Sequence, residues 1–213
     1  KYNADYLNEL EDLNSYQTND KKAMNLGVYS ADVGYTSLFK QTQETMFYLN
    51  NLRKLSDDIG LTEAFDQSVF DRIEANLDNR DSLLSIISGA YQVANSFLKD
   101  NDRYETAVLI IAGAWTESLY LATMLCSEDG INNEIALRID QQRKTLRKLL
   151  DSMKDFRSNE SIDSLYAKLE EVDEIYKNTN IATQISEDEI QVNPEQLSQL
   201  TEKAKEVRAW VIN

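Results

Sequence analysis

Two stretches with almost no charge decide the fold: 82-SLLSIISGAYQVANSFL-98 and 106-TAVLIIAGAWTESLYLATMLCS-127. The first contains no Asp, Glu, Lys or Arg, and the second contains only Glu117. Both are longer than buried strands usually are, so they predict helices, and their apolar residues on every side predict burial on most sides. The charged residues 99–103 predict a short turn between them. We therefore expect a central antiparallel helical hairpin within an all-α bundle of about seven or eight helices.

The rest of the chain is also predicted to be helical and to form a single domain over residues 1–213. One Pro and six Gly favour long helices over sheets. One long helix is expected from Lys21 to Asp58, with Gly60 as its C-cap. The hairpin is expected to close at Asp129-Gly130. Further helices are predicted at 3–14, 63–77, 133–157, 162–176 and 194–211, with an irregular and partly extended piece at 181–192.

Glycines inside the predicted helices indicate close helix crossings. Gly costs about 0.8–1.0 kcal/mol relative to Ala in a soluble helix, so several of them on packing faces suggest a structural reason. Three short segments repeat the order Gly, small or β-branched residue, aromatic residue, and they begin at positions 27, 89 and 113. The residues expected at close crossings are Gly27, Ala31, Gly34, Gly89 and Gly113.

Charge and composition exclude several function classes. The chain has 22 Lys plus Arg and 37 Asp plus Glu, a net charge of −15, which argues against a nucleic-acid partner and against adhesion to anionic lipid. It has no His, so the usual general base and the commonest metal ligand are missing. We therefore expect no enzyme activity, no metal and no cofactor. The single Cys126 is followed by acidic residues and is predicted to be a small buried hydrophobe rather than a nucleophile.

Glu117 is the strongest candidate for a functional residue. Residues 106–127 have the length of a membrane span, but a charge in the middle of that stretch argues against one. On a buried helix the carboxylate should be paired with Arg or Tyr from a neighbouring helix, and this structural interpretation is favoured over a ligand-binding or catalytic role. A speculative ligand groove between helices would be lined by Glu117, Trp115, Tyr120, Tyr91 and Tyr29, although aromatics at helical spacing more often form core.

Two other features allow both a functional and a structural interpretation. Asp32, expected to be solvated, and Glu44, expected at a boundary, could join Glu117 in a carboxylate cluster, but the Glu-x-x-His motifs of helical di-metal sites are missing, so no metal site is expected. The basic helix at 133–157 could receive an anionic ligand. Its neutralisation by the acidic helix at 162–176, lying antiparallel to it, is favoured.

One segment resembles a known family. The stretch Asn25-Leu-Gly-Val-Tyr-Ser-Ala-Asp-Val-Gly-Tyr-Thr36, followed by Gln41-Thr-Gln-Glu-Thr-Met-Phe-Tyr48, resembles the uncharacterised all-helical secreted lipoproteins of Bacteroidetes, in which an "lgvYsaDlsY" helix with a downstream Q-E-x-M-x-Y recurs. The resemblance covers about residues 21–60. It implies export to the periplasm or outer-membrane surface and tethering by an N-terminal lipidated Cys outside this chain. It transfers no activity and no catalytic residue.

These observations predict a non-enzymatic, exported helical interaction or scaffold domain. Its partner would be an unknown protein or a small ligand, and it would contact a membrane only through a lipid anchor outside this chain. The alternative is a small-ligand-binding protein that uses an aromatic-lined groove between helices. An enzyme that uses Glu117 is the third possibility.

Overall fold

The computed structural model describes residues 1–65, 67–77, 79–128 and 130–213. They form eight α-helices: α1 Asn19–Leu38, α2 Thr42–Asp58, α3 Gln67–Glu74, α4 Arg80–Asp100, α5 Tyr104–Ser127, α6 Asn133–Met153, α7 Glu160–Asn178 and α8 Pro194–Ile212. The short strands β1 Ala182–Gln184 and β2 Ile190–Val192 pair antiparallel. The all-α class is therefore confirmed. The turn predicted at Asp129-Gly130 includes Asp129, which lies outside the described residues.

The chain divides into two compact units. The N-terminal unit contains residues 2–115 and Ile212, and the C-terminal unit contains residues 116–211 with the terminal residues Lys1 and Asn213. The boundary between them falls inside α5. The single domain over 1–213 stays a prediction.

Two predicted helices are shorter or differently wound than expected. The segment 3–14 forms two 3₁₀ helices, Ala4–Tyr6 and Leu10–Ser15, instead of one α-helix. The predicted helix at 63–77 is reduced to a 3₁₀ turn, Thr62–Ala64, followed by α3. Neither segment has enough length of regular apolar spacing to hold a long helix against tertiary packing.

The single helix predicted over 21–58 is wrong, because the chain reverses direction between α1 and α2. Lys40 has a φ of 57°, in the left-handed region. The Gln41 N–H donates to the Thr36 carbonyl oxygen at 2.9 Å, closing the turn. This is the Schellman geometry that ends many helices, and its left-handed position usually holds Gly. Lys at that position gives no turn signal in the sequence.

The resulting α1–α2 pair is an antiparallel hairpin. Near the turn, the Thr45 hydroxyl donates to the Thr36 hydroxyl at 3.0 Å. At the far end, Lys22 Nζ lies 2.9 Å from a carboxylate oxygen of Asp58. Contacts at both ends fix the register of the two helices along their whole length.

Lys40→Gly is expected to stabilise the protein by about 0.5–1 kcal/mol. The left-handed conformation costs a non-glycine residue about 1–2 kcal/mol, and Gly removes this cost. The greater flexibility of Gly in the unfolded chain reduces the gain in stability by about 0.4–1 kcal/mol. In a thermal melt this corresponds to a rise in Tm of roughly 1–4 °C. Lys40→Ala keeps a Cβ and is the control. If Lys40→Gly melts no higher than Lys40→Ala, the turn does not hold this conformation in solution.

The two arms of the predicted central hairpin differ in burial. They are joined by a short turn, in which Asp102 has a φ of 56° and the Arg103 N–H donates to the Leu98 carbonyl oxygen at 2.7 Å. Most of α5 is buried, as predicted. In contrast, α4 is buried on one side only, and Leu84 and Val93 are 40% and 48% exposed. Burial of α4 on most sides, as the sequence predicts, is therefore not observed.

Gly27 and Gly113 lie at a close crossing of α1 and α5, as expected. A Cβ on Gly27 would lie less than 3.0 Å from the Ile110 carbonyl oxygen, and a Cβ on Gly113 less than 3.0 Å from that of Met24. Only hydrogen in place of a side chain lets the two backbones approach this closely.

Two of the other residues expected at close crossings, Gly34 and Gly89, do not lie at one. A Cβ added to Gly34 or to Gly89 would have no atom of the described residues within 4 Å, so the prediction for these two glycines is wrong. Gly34 is half-buried on α1, and Gly89 is exposed on α4. Ala31 is half-buried.

In the C-terminal unit, α6 and α7 lie antiparallel with complementary charge, as predicted. Arg147 Nε lies 3.1 Å from a carboxylate oxygen of Asp173. The Arg143 guanidinium donates to the Tyr176 carbonyl oxygen at 2.8 Å, and the Tyr176 hydroxyl donates to the Ile139 carbonyl oxygen at 2.9 Å. Although burial opposes it, hydrogen bonds from Lys177 and Arg147 together hold the pKa of Asp173 below its ordinary value. These contacts support neutralisation of the basic helix by its neighbour.

Candidate functional site

Glu117 is fully buried on α5 and is paired with Arg208 of α8. Arg208 Nε lies 2.8 Å from one carboxylate oxygen and 3.1 Å from the other. The guanidinium carbon of Arg208 also lies 4.5 Å from the centre of the Tyr120 ring, three residues further along α5. The cation is therefore held between a carboxylate and an aromatic face, both of which favour it. The predicted pairing of Glu117 with Arg is confirmed.

One helix among the described residues, α5, is long and apolar enough to cross a membrane by length and composition. However, 67% of its most apolar window is buried inside the protein. The acidic side chain in the middle of α5 is also neutralised by Arg208. Both facts are typical of the core helix of a globular protein.

The aromatic groove predicted from the sequence is not formed in the described part of the N-terminal unit. Tyr29 is fully buried, and its hydroxyl donates to the Glu9 carbonyl oxygen at 2.8 Å. Trp115 is also buried. Tyr91 lines a cavity, but neither Tyr29 nor Trp115 lines it with Tyr91. The cavity that Tyr91 does line is mostly aliphatic.

This cavity has a volume of about 80 Å³. Helices α1 to α5 all contribute to its walls, and the lining includes Leu26, Leu49, Ile73, Ala94 and Ile110. Two serines, Ser30 and Ser56, are the other polar residues beside Tyr91 in the described lining. Within the part of the chain that the structure describes, no Asp, Glu, Lys or Arg lines the cavity.

The candidate metal ligands are placed differently from the sequence prediction. Asp32, expected to be solvated, is fully buried and accepts a hydrogen bond from the Asn8 N–H at 3.4 Å. Glu44 is half-buried and accepts from the Tyr2 hydroxyl. Within the described ranges, no three His, Cys, Asp or Glu side chains are placed to hold one ion.

Cys126 is a buried residue, as predicted. Its thiol donates to the Asn132 carbonyl oxygen at 3.3 Å. Burial raises the pKa of the Cys126 thiol, so the nucleophilic thiolate is disfavoured.

A feature that the sequence interpretation missed is a tyrosine clamp on the N-terminal strap, residues 2–16. Three tyrosine hydroxyls from α1 and α2 donate to backbone carbonyl oxygens of this strap. The three hydrogen bonds join Tyr29 to Glu9 at 2.8 Å, Tyr48 to Asn8 at 2.8 Å and Tyr35 to Asn3 at 3.2 Å. Burial raises the pKa of Tyr29, so its hydroxyl stays a donor.

Residues that hold the N-terminal strap lie in the two segments on which the predicted resemblance depends. Tyr29, Asp32 and Tyr35 belong to the first quoted segment, and Glu44 and Tyr48 to the second. All five make a hydrogen bond to the N-terminal strap. The signal available in the sequence was the choice of Tyr rather than Phe, because a buried Tyr usually needs a partner for its hydroxyl.

Tyr48→Phe is expected to loosen the strap. The substitution keeps the ring but leaves the buried Asn8 carbonyl without this donor, at a cost of about 1–2 kcal/mol in the free energy of unfolding. Thermal melts measure the cost, and cleavage by a glutamate-specific protease at Glu9 and Glu11 should become faster. Tyr91→Phe, on an exposed position, is the control. Equal melts for the two variants would contradict the clamp.

Comparisons with protein-family models, with curated proteins and with solved structures find no match for this chain. A functional proposal therefore depends on the surface and cavities of the protein itself.

One surface without charge is the exposed side of α4, which we call the α4 face. It consists of Ser85, Ser88, Gly89, Gln92, Val93 and Ser96, all of them exposed. Residues 82–98 contain no charged side chain, although 28% of the whole chain is charged. By comparison, the exposed side of α6 carries Arg138, Lys144, Lys148 and Asp151. The α4 face thus differs from an ordinary solvated helix surface.

Proposed function

We propose that this protein is a non-enzymatic helical interaction domain that binds a partner protein through the α4 face. The observation that carries the proposal is an exposed helix face without charge on a strongly acidic protein. The cores of protein interfaces are depleted in charged residues, because a charge that is buried on binding must lose its hydration. A partner that covers the α4 face desolvates hydroxyls, an amide and apolar groups instead.

The shape of the α4 face also supports a helical partner. Gly89 has open space around it. Ser85 lies one turn before it and Ser96 two turns after it on the same side of the helix. Small residues in such a row let a second helix approach closely. Leu84 and Tyr91, which are 40% and 36% exposed, add apolar area along one edge.

The proposed location is the periplasm or the outer-membrane surface, with a lipid anchor outside this chain. This part of the proposal depends on the family resemblance of residues 21–60. The net charge of −15 supports a surface that does not itself adhere to anionic lipid or to nucleic acid.

The arrangement of Glu117 supports a structural role rather than a catalytic one. Both of its carboxylate oxygens accept hydrogen bonds from Arg208. A general base needs a lone pair within reach of a substrate proton. A carboxylate that is fully buried and bound by a guanidinium is poorly suited to that task.

Site-specific photo-crosslinking in cells that produce the protein tests the proposal. A photoreactive phenylalanine analogue at Ser88 should give a discrete crosslinked species, whereas the same analogue at Lys144 on α6 should not. The species should disappear in Gly89→Glu, which adds a charge to the α4 face where space is open. A crosslink to a second copy of the chain would identify the partner as the protein itself. If Ser88 crosslinks no more than Lys144, the α4 face is not a binding surface.

A further inference from the structure

A second feature of the N-terminal unit, besides the α4 face, is its apolar cavity. Five helices line it and it opens to the solvent on one side, and its volume of about 80 Å³ is of the same order as the roughly 150 Å³ of engineered apolar cavities that bind benzene. Well-packed cores contain few voids larger than a water molecule. An unfilled apolar space of this size therefore imposes a cost on stability unless a ligand occupies it.

We propose that this cavity binds a small neutral hydrocarbon group, either an aromatic ring or a single alkyl chain. No charged side chain of the described residues lines the cavity, so an ion would lose its hydration without compensation. The Ser30 hydroxyl donates to the Gly27 carbonyl oxygen of its own helix at 2.7 Å and is already used. Leu26, Leu49, Ile73 and Ile110 supply a surface to which a hydrocarbon can bind by close contact.

Water is a poor occupant of the same space. A buried water needs two to four polar partners, and the cavity lining offers mainly aliphatic groups. Transfer of a hydrocarbon group from water into such a poorly hydrated site is favourable.

Tyr91 lies where the cavity meets the solvent. Its side chain lines the cavity and is also 36% exposed. A change in the rotamer of an exposed aromatic side chain is a fast motion. It would open the cavity without moving a helix.

Titration with benzene and, separately, with 1-octanol tests the proposal on the unmodified protein. The methyl NMR signals of Leu26, Ile73 and Ile110 should shift in a saturable manner, and a probe at ten times its Kd should raise Tm by about 3–6 °C. Tighter binding of benzene would identify a ring as the natural group, and tighter binding of octanol an alkyl chain. If neither probe shifts these signals, the proposal is wrong.

Two variants locate the binding site. Ala94→Leu places three additional carbons in the cavity, and the variant should lose at least tenfold in affinity for either probe. Ser88→Leu adds the same apolar side chain on the exposed side of α4 and should bind like the wild type. If Ala94→Leu does not fold, the NMR titration of the unmodified protein still shows whether the cavity binds either probe. Equal affinity in Ala94→Leu and Ser88→Leu would contradict binding in this cavity.

Discussion

Gly27→Ala is expected to lower the free energy of unfolding by about 3 kcal/mol, the upper end of the usual cost of overpacking. The added methyl group would lie less than 3.0 Å from the Ile110 carbonyl oxygen and close to the Ala114 backbone nitrogen. These are backbone atoms, so no side-chain rotation can make room, and α1 and α5 must separate. Thermal melts should show a decrease in Tm of roughly 6–12 °C. Gly113→Ala, on the other side of the same crossing, should behave alike.

Gly34→Ala is the matched control on the same helix. Among the described residues, no atom lies within 4 Å of the position that the new Cβ would occupy, so the methyl group is accommodated without a clash. The better helix propensity of Ala should then stabilise the protein by up to about 1 kcal/mol. Gly27→Ala and Gly34→Ala are therefore expected to move Tm in opposite directions. If both raise it, α1 and α5 do not cross at Gly27.

Removing either partner of the Glu117–Arg208 pair should destabilise strongly. Glu117→Ala leaves the Arg208 guanidinium, whose side chain is only 13% exposed, without its carboxylate. The expected cost is about 3–5 kcal/mol, because the remaining charge stays buried and uncompensated. Glu117→Gln keeps the shape and one acceptor and should cost less. Chemical denaturation measures all of these variants.

A double variant separates the pairing from the packing. Glu117→Leu with Arg208→Met replaces both charges by apolar groups of similar length, and it should be closer to the wild type than either single variant. Lys205→Ala, which breaks an exposed pair with Glu202 on α8, is the control and should cost less than about 1 kcal/mol. If Glu117→Ala and Glu117→Gln both unfold like the wild type, the structural role fails and Glu117 becomes the leading candidate for a functional site.

The helix ends show which parts of the fold the sequence could predict. The turns that follow α1, α2 and α4 each use a residue in the left-handed region. These residues are Lys40, Gly60 and Asp102, with φ of 57°, 69° and 56°. The end of α2 was predicted because Gly is the usual residue there. The end of α4 was marked by a cluster of charges. The end of α1 had neither signal, since its turn is stabilised by hydrogen bonds to Thr36 and Ser37 that become visible only in the structure.

Burial was predicted correctly for α5 and not for α4, for a physical reason. A segment without charged residues is unlike an ordinary solvated surface, but the sequence does not show whether other parts of the same chain cover it. Other residues of the same chain bury most of α5. For α4 one side remains exposed, and this difference between sequence and structure is the observation behind the proposed interface.

The candidate site was predicted in part. The sequence identified Glu117 and left Arg or Tyr as its partner, because an acid on an apolar helix requires compensation. It could not identify Arg208, which is 91 residues away in the chain, since many arginines satisfy the same requirement. The apolar cavity was not predicted, because a void depends on how five helices meet and leaves no pattern in any one of them.

The N-terminal strap would respond to mechanical tension in a defined order. A pull on Lys1 reaches the hydrogen bonds of the strap one after another, beginning with the bond from Tyr2 to Glu44. The bonds at Asn3, at Asn8 and Glu9, and at Leu10, which accepts from Asn51 at 2.9 Å, follow in that order. Bonds that are loaded singly yield at lower force than bonds that are loaded together. The strap is therefore expected to detach before α1 and α2 bear any load, and fully extended it would span about 50 Å.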